Sequence, residues 1–284
     1  MLGGGETRTL LPWAGSKRNV MHIMKKYLGQ HDFNAYHEPF VGAGNVFDSM
    51  DLTGKRVFLN DKCGGIMAMH GAIRERPAQL IRSLAYYEKR FRIAEKYEVE
   101  SAMYLRMREL YNGSKVLPNP SLFVVLCTLC FCSIYRENLK GHMTSPYRAR
   151  SSSLPHICSP ERVRRIKAMH AYMASNDLTL TCEDFETALQ KTQPGDLVYL
   201  DPPYRKDKNV SYAGFGVNDS DRVERVFRQL VEKGCLVFLS EHDTPFIRDR
   251  YKEFVIVQIP VHRFARQKGG DKNQFELLIM AKRV

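Results

Sequence analysis

Phe33-Asn34-Ala35-Tyr36-His37-Glu38-Pro39-Phe40-Val41-Gly42-Ala43-Gly44 is the stretch on which the fold turns. Phe33 to Phe40, with Phe33, Ala35, Tyr36 and Phe40 among its residues, ends in a glycine-punctuated turn, so the segment reads as a strand and a tight change of direction. A helix is expected from near Asn45. Arg56 to Leu59 is a second short strand, closed by Asn60-Asp61. Strand, glycine turn, helix, strand opens a doubly wound α/β sheet. Further apolar runs follow at Leu178 to Thr181, Leu197 to Leu200, Cys235 to Leu239, Phe254 to Ile259 and Phe275 to Met280. A helical pattern covers Asp219 to Lys233. The last two runs flank a polar glycine loop, Lys268 to Asn273, and read as an antiparallel hairpin at the sheet edge.

The middle of the chain has another character. From Arg76 to Arg150 it is helical and charged, then apolar, then loop-like. Leu122 to Ile134 suits a buried helix. Arg136 to Ser153 is polar and broken by Gly141 and Pro146. The expected organisation is one domain from residues 1–75 and 157–284, with 76–156 as an inserted helical subdomain carrying a projecting loop.

The 284 residues are 44% hydrophobic, which supports a packed core. A formal net charge of +12 favours a polyanionic partner. Seven scattered cysteines in a chain of this length suit a reducing cytoplasm. No apolar segment reaches the roughly 20 residues of a membrane span. Met1 to Glu6 lacks the charged-then-apolar order of a signal peptide.

Asp201-Pro202-Pro203-Tyr204 follows the strand at Leu197 to Leu200. An acid, two prolines and an aromatic at a strand end make a rigid acceptor beside a stacking platform. That pairing suits an exocyclic amine on a planar ring, such as adenine N6. Gly42 and Gly44 let the backbone approach a ligand. A dinucleotide fingerprint would need Gly or Ala at the position of Phe47, which argues against a nicotinamide enzyme. Asp61 stands where ribose hydroxyls are bound in such sheets. Asp184 and Phe185, after the strand at Leu178, could meet an adenine ring, although Asp184 equally reads as a helix N-cap. Trp13 in Trp13-Ala14-Gly15-Ser16-Lys17 is the single tryptophan. It either folds over the strand ends or anchors an aromatic core, in which case Lys17 is a solvated charge.

Between Arg136 and Lys167, Arg136, Lys140, Arg148, Arg150, Arg162, Arg164, Arg165 and Lys167 face only the acids Glu137 and Glu161. Tyr135, Arg136, Asn138 and Tyr147 are residue types that read or stack on bases, which points to DNA. Cys127, Cys130 and Cys132, with His156 and Cys158, invite a zinc reading. They lie in or near an apolar run without a second C-x-x-C, and buried packing explains them better.

Taken together, these motifs resemble the Dam-type, D12-class DNA adenine-N6 methyltransferases. Trp13 to Lys17 is similar to the W-A-G-G-K of that family, with Ser16 for a glycine. Glu38 to Gly44 resembles its cofactor motif, and Asp201 to Tyr204 its catalytic D-P-P-Y. Arg136 to Gly141 and Ser145-Pro146-Tyr147 resemble R-x-N-x-x-G and P-F-G, and Ser240 to Thr244 resembles S-N-H-D. The resemblance spans nearly the whole chain.

It implies a Rossmann-like methyltransferase sheet and a helical target-recognition insert. It implies S-adenosylmethionine as methyl donor, S-adenosylhomocysteine as product, and no metal. The partner is double-stranded DNA with a flipped-out adenine; the protein is a monomer or weak dimer on DNA, in the cytoplasm with bacterial or viral DNA. The resemblance places Trp13, Ala14, Gly15, Lys17, Glu38, Pro39, Phe40, Gly42, Gly44, Asp61, Asp184, Phe185 and Asp201 at the cofactor. Asp201, Pro202, Pro203 and Tyr204 are the catalytic set. Tyr135, Arg136, Asn138, Lys140, Pro146, Tyr147, Arg148 and Arg150 are assigned to DNA. Cys132-Ser133 and Tyr147-Arg148 depart from the N-G and F-G of Dam itself, so a GATC-like target stays open. The rival readings are an RNA adenine methyltransferase, a protein amide methyltransferase (which would carry Asn for Asp201), and a catalytically silent DNA-binding protein.

Overall fold

The computed structural model describes residues 10–13, 15, 17, 20–114, 118–138, 140–203, 215, 217–261 and 274–281. The chain separates into two compact units. One comprises Met1–Gly15 and Cys63–Ser175; the other comprises Ser16–Lys62 and Asn176–Val284.

In chain order the elements are α1 (Met21–Leu28), β1 (Ala35–Glu38), β2 (Arg56–Asn60), α2 (Gly64–Glu75), α3 (Pro77–Ala94), α4 (Tyr97–Gly113), α5 (Pro120–Leu129), α6 (Pro160–Ala174), β3 (Asp177–Thr181), α7 (Phe185–Ala188), β4 (Leu197–Leu200), α8 (Val217–Glu232), β5 (Leu236–His242), α9 (Pro245–Arg250), β6 (Val255–Val261) and β7 (Gln274–Met280).

In the second unit the strands form a seven-stranded sheet in the order β3-β2-β1-β4-β5-β7-β6. Neighbours from β3 to β5 pair in parallel, and β7 runs antiparallel to both β5 and β6. The expected antiparallel pair is therefore present, with β6 at the edge and β7 inside it; the loop expected at Lys268 to Asn273 lies outside the described residues. All four residues of β1 and of β4 are buried, as befits strands covered on both faces. On one face Phe185, Leu189, Val223, Phe227, Leu230, Ile247 and Tyr251 pack on Val198, Leu200, Val237, Leu239, Leu277 and Ile279. Strand order reverses at β1 and β4, and ligands of open α/β sheets bind at the carboxyl ends beside such a reversal.

Local expectations fail in two places. The buried helix expected to reach Ile134 ends at Leu129, where Cys130 is already extended and a 3-10 turn, Phe131–Ser133, follows. No α-helix starts near Asn45; a single 3-10 turn, Phe47–Ser49, stands there, and Met50 is already extended. The Ser49 hydroxyl donates to the Asn45 carbonyl at 2.8 Å and, more weakly, to Asp48. Short polar side chains of this kind offer local hydrogen bonds that compete with helix propagation.

The first unit is helical. In α5 every residue from Ser121 to Leu129 is buried, as a helix apolar on all sides must be. Helices α2, α3 and α4 pack around it. Gly65 of α2 permits this, because a Cβ there would sit 2.2 Å from the Phe123 ring. Helices α5 and α6 each begin with a capping side chain followed by proline: Asn119-Pro120 and Ser159-Pro160.

Candidate active site

The site is built at the carboxyl ends of β1, β2 and β4. After β1 the chain turns through Gly42 (φ 49°) and Gly44 (φ 76°), left-handed conformations that favour glycine. Gly44 N–H donates to the Val41 carbonyl at 2.9 Å, closing the turn. Gly42 N–H donates to Asp61 Oδ2 at 2.9 Å, so the carboxylate after β2 is fixed against the turn after β1.

Asn60 ties three strand ends together. Its amide donates to the Pro39 and Glu183 carbonyls, each at 3.1 Å. Its carbonyl accepts Glu183 N–H and the Thr181 hydroxyl, each at 2.9 Å. Both donors and both lone pairs of a buried amide are satisfied. In the sequence Asn60 reads only as the end of a strand, and its partners lie too far along the chain to mark it.

Phe40 and Phe185 are brought together, their ring centroids 5.2 Å apart. Asp184 caps α7 through Glu186 N–H at 3.1 Å and receives Arg222 Nη2 at 2.5 Å. Burial opposes its ionisation, but the Arg222 and Glu186 bonds prevail and hold the carboxyl below its ordinary range. Arg222 also bonds Glu186 and Asp219 and lies 4.7 Å from the Phe185 ring centroid. Its partners come from α7 and α8, so no local pattern marked it.

Asp201 leaves β4 at 18% side-chain exposure. Pro202 is buried and Pro203 half-buried; Tyr204 and Ala14 lie outside the described residues. Lys17 is no solvated charge. It is 3% exposed, and its Nζ lies 2.7 Å from Asp201 Oδ1 and 3.5 Å from Glu276 Oε2. Glu38, at the end of β1, is 2% exposed and accepts the Tyr36 hydroxyl at 2.8 Å. Burial pushes its carboxyl well up, Tyr36 opposes this, and the charges of Asp201 and Asp61 push it further. Glu241, buried on β5, is raised to about 7 by burial, with His242 N–H and Lys17 opposing and Asp201 adding. Asp243 pairs with Arg248 at 2.6 and 2.8 Å, and Thr244 caps α9, so this part of the segment from Ser240 to Thr244 braces the structure.

In the helical unit Trp13 packs on Phe123 and Tyr135, at 6.0 and 5.5 Å between centroids. The aromatic-anchor role is thus realised. Gly15, exposed at φ 81°, belongs to the same unit, whereas Lys17 belongs to the sheet unit.

The loop after α5 is stapled by one face of α4. Tyr97, Glu100, Tyr104, Arg108 and Asn112 follow the spacing that aligns side chains along a helix. Tyr97 bonds the Arg148 carbonyl, Tyr104 and Arg108 the Ser145 carbonyl, and Asn112 both the carbonyl and the N–H of Met143. Glu100 accepts the Tyr147 hydroxyl at 2.7 Å and Arg148 Nη2 at 2.5 Å. Tyr147 and Arg148 are consequently buried, and so is Tyr135, which packs on Trp13 and Phe123. Arg136, Asn138, Lys140, Pro146 and Arg150 are exposed. Asn138 accepts the N–H groups of Lys140 and His142 and so shapes the loop tip. Arg150 pairs with Glu98. Burial holds the Cys127 thiol well above its ordinary value and pushes Cys130 up to about 12, and both fill space at the end of α5.

Residues 13–263 match the family model of the D12 class N6 adenine-specific DNA methyltransferases. The Type II methyltransferase M1.LlaDCHI of Lactococcus lactis subsp. cremoris is 27% identical over 285 residues, covering 96% of this chain and 94% of that protein. The Type II methyltransferase M.MjaIII of Methanocaldococcus jannaschii is 25% identical, covering 97% and 99%. The DNA adenine methylase of Escherichia coli K12 is 23% identical, covering 96% and 95%. Match and similarity both run through the glycine turn after β1 and the acid after β4, and the chain belongs to the D12 class of N6 adenine-specific DNA methyltransferases.

Proposed function

We propose that Asp201 and the Pro202 carbonyl accept the two N–H groups of a flipped-out adenine N6, and that the loop after α5 meets the DNA around it. The carrying observation is Asp201 itself. It is an acid at the carboxyl end of β4, beside the strand-order reversal, held at 2.7 Å by a buried lysine.

The adenine N6 lone pair is delocalised into the ring, so the amine is a poor nucleophile. Two hydrogen bonds to Asp201 and Pro202 draw it toward tetrahedral geometry and turn the lone pair out of the ring plane. Catalysis of this kind is positioning and electrostatics. Asp201 need not act as a strong base, because a methylated N6 cation sheds its proton readily. Tyr204 stacks on the extruded base, a contact worth roughly 1–3 kcal/mol against an unstacking cost of about a few kcal/mol.

S-adenosylmethionine, when bound, supplies a methyl group on a cationic sulfonium. The donor set suits it. Glu38, Asp61 and Asp201 bring three carboxyl groups to three adjacent strand ends; burial first, and then the charges of Asp201 and Asp61, push the Glu38 carboxyl up, so a cation bound beside it favours its ionised form. Phe40 and Phe185 offer apolar rings to a nucleobase, and Asp61, fixed by Gly42, faces a ribose. The exposed Arg136, Asn138, Lys140, Pro146 and Arg150 are the loop residues we assign to DNA.

The test is methyl transfer from S-adenosylmethionine to unmethylated genomic DNA, with N6-methyladenine mapped by sequencing and structured RNA as the competing acceptor. DNA is methylated at one short site, and Asp201→Ala lowers kcat by about 10²–10³-fold while DNA binding persists. Preferred transfer to RNA, or an Asp201→Ala variant at near wild-type rate, overturns the assignment.

A further inference from the structure

The buried Lys17 ammonium lies within ion-pair distance of two carboxylates, those of Asp201 and Glu276. Asp201 follows β4, Glu276 sits in β7, and β5 lies between those strands. Lys17 reaches both acids, at 2.7 and 3.5 Å, with side-chain exposures of 3% for Lys17 and 9% for Glu276. Leu277, Leu278 and Ile279, which follow in the same strand, are apolar and buried. An acid at the head of that run incurs a desolvation cost that a leucine would avoid, and a buried ion pair is seldom the most stable filling of its space. The arrangement makes sense as orientation. A lysine ammonium is a compact charge on a flexible four-carbon stem. A second acid within reach of the same ammonium restricts how that stem can lie.

We propose that Glu276 is a positioning residue of the methyl-transfer reaction. It anchors Lys17, and Lys17 in turn fixes the plane of the Asp201 carboxylate toward the amine. This rests on the reading of Asp201 as the amine acceptor. Glu276 itself touches neither substrate.

The test is a double-mutant cycle on the full chain with Glu276→Gln and Lys17→Met, read by kcat and by KM for a methylatable duplex. Glu276→Gln lowers kcat about tenfold with KM changed by less than about twofold, because a small misalignment of a reacting group slows the step without weakening binding. In the Lys17→Met background the same substitution has no further effect. Glu276→Asp, which keeps the charge, recovers part of the rate. A wild-type kcat for Glu276→Gln, or a loss that multiplies with that of Lys17→Met, overturns the proposal. If Glu276→Gln loses its cooperative thermal transition, Glu276→Asp carries the same cycle and is judged by the same coupling. Asp201→Ala is assayed in parallel. Its retention of activity would remove the underlying reading, whereas an inactive Asp201→Ala beside a fully active Glu276→Gln removes only the role of Glu276.

Discussion

Arg148 Nη2 lies 2.5 Å from Glu100 Oε2, and both side chains are at most 10% exposed. The pair joins α4 to the loop that follows α5, and the Tyr147 hydroxyl shares the same carboxylate oxygen. A basic residue of the segment we assign to DNA thus turns its charge inward. Removing one member of a buried pair leaves the other uncompensated, at about 3–5 kcal/mol. Glu100→Ala and Arg148→Ala are each expected to destabilise the protein by that amount in urea unfolding, and the double variant by less than the sum. A loss below about 1 kcal/mol for Arg148→Ala would show the pair to be incidental.

The exposed cations of the same loop behave oppositely. Lys140→Ala leaves the melting temperature unchanged and lowers the slope of log binding constant against log salt by roughly one, the signature of one lost phosphate contact. Arg136→Ala relaxes discrimination at one base pair by about 1–3 kcal/mol. Titrations of duplexes at several salt concentrations separate the two. Equal slopes for wild type and Lys140→Ala would exclude that lysine from the DNA surface.

Glu241 couples stability to pH. Its carboxyl is held near 7 in the folded protein, against an ordinary 4.5. Between those values the native state binds a proton that the unfolded chain has released, so the contribution of Glu241 to stability falls as pH rises from about 4.5 to about 7. Above that range the acid is buried ionised, at an expense of about 3 kcal/mol. Glu241→Gln therefore melts like wild type at pH 5 and higher than wild type at pH 8. Parallel pH dependence of the two proteins would refute the assignment.

Asn60→Ala should strike the cofactor side of the site. It strips the partners from the Pro39 and Glu183 carbonyls, Glu183 N–H and the Thr181 hydroxyl. Unsatisfied buried groups cost about 1–3 kcal/mol each when water does not replace the lost bond. The expected outcome is a loss on the order of 3 kcal/mol in stability and weaker S-adenosylmethionine binding by calorimetry, with DNA affinity unchanged. Unaltered cofactor affinity in a destabilised variant would confine Asn60 to a structural role.

Much of the sheet was legible because strands and their turns are written locally. All seven strands fall on the apolar runs of the sequence, and the acid after Leu200 ends a strand as expected. The helix expected at Asn45 was not legible, since a 3-10 turn and a helix start share their residue types and differ in how Ser49 and Asp48 bond.

From the amino-acid order alone came the doubly wound sheet, the glycine turn, the family resemblance and the Asp201 tetrapeptide, because apolar periodicity and turn chemistry act over a few residues. Only the tertiary structure decided which charges face inward. Lys17 meets Asp201 across 184 positions of sequence and also reaches Glu276. Tyr135, Tyr147 and Arg148 turn into the helical unit while Arg136 and Lys140 stay outside. Burial and ion pairing depend on what packing brings alongside a residue, and that is set by elements far away in the chain.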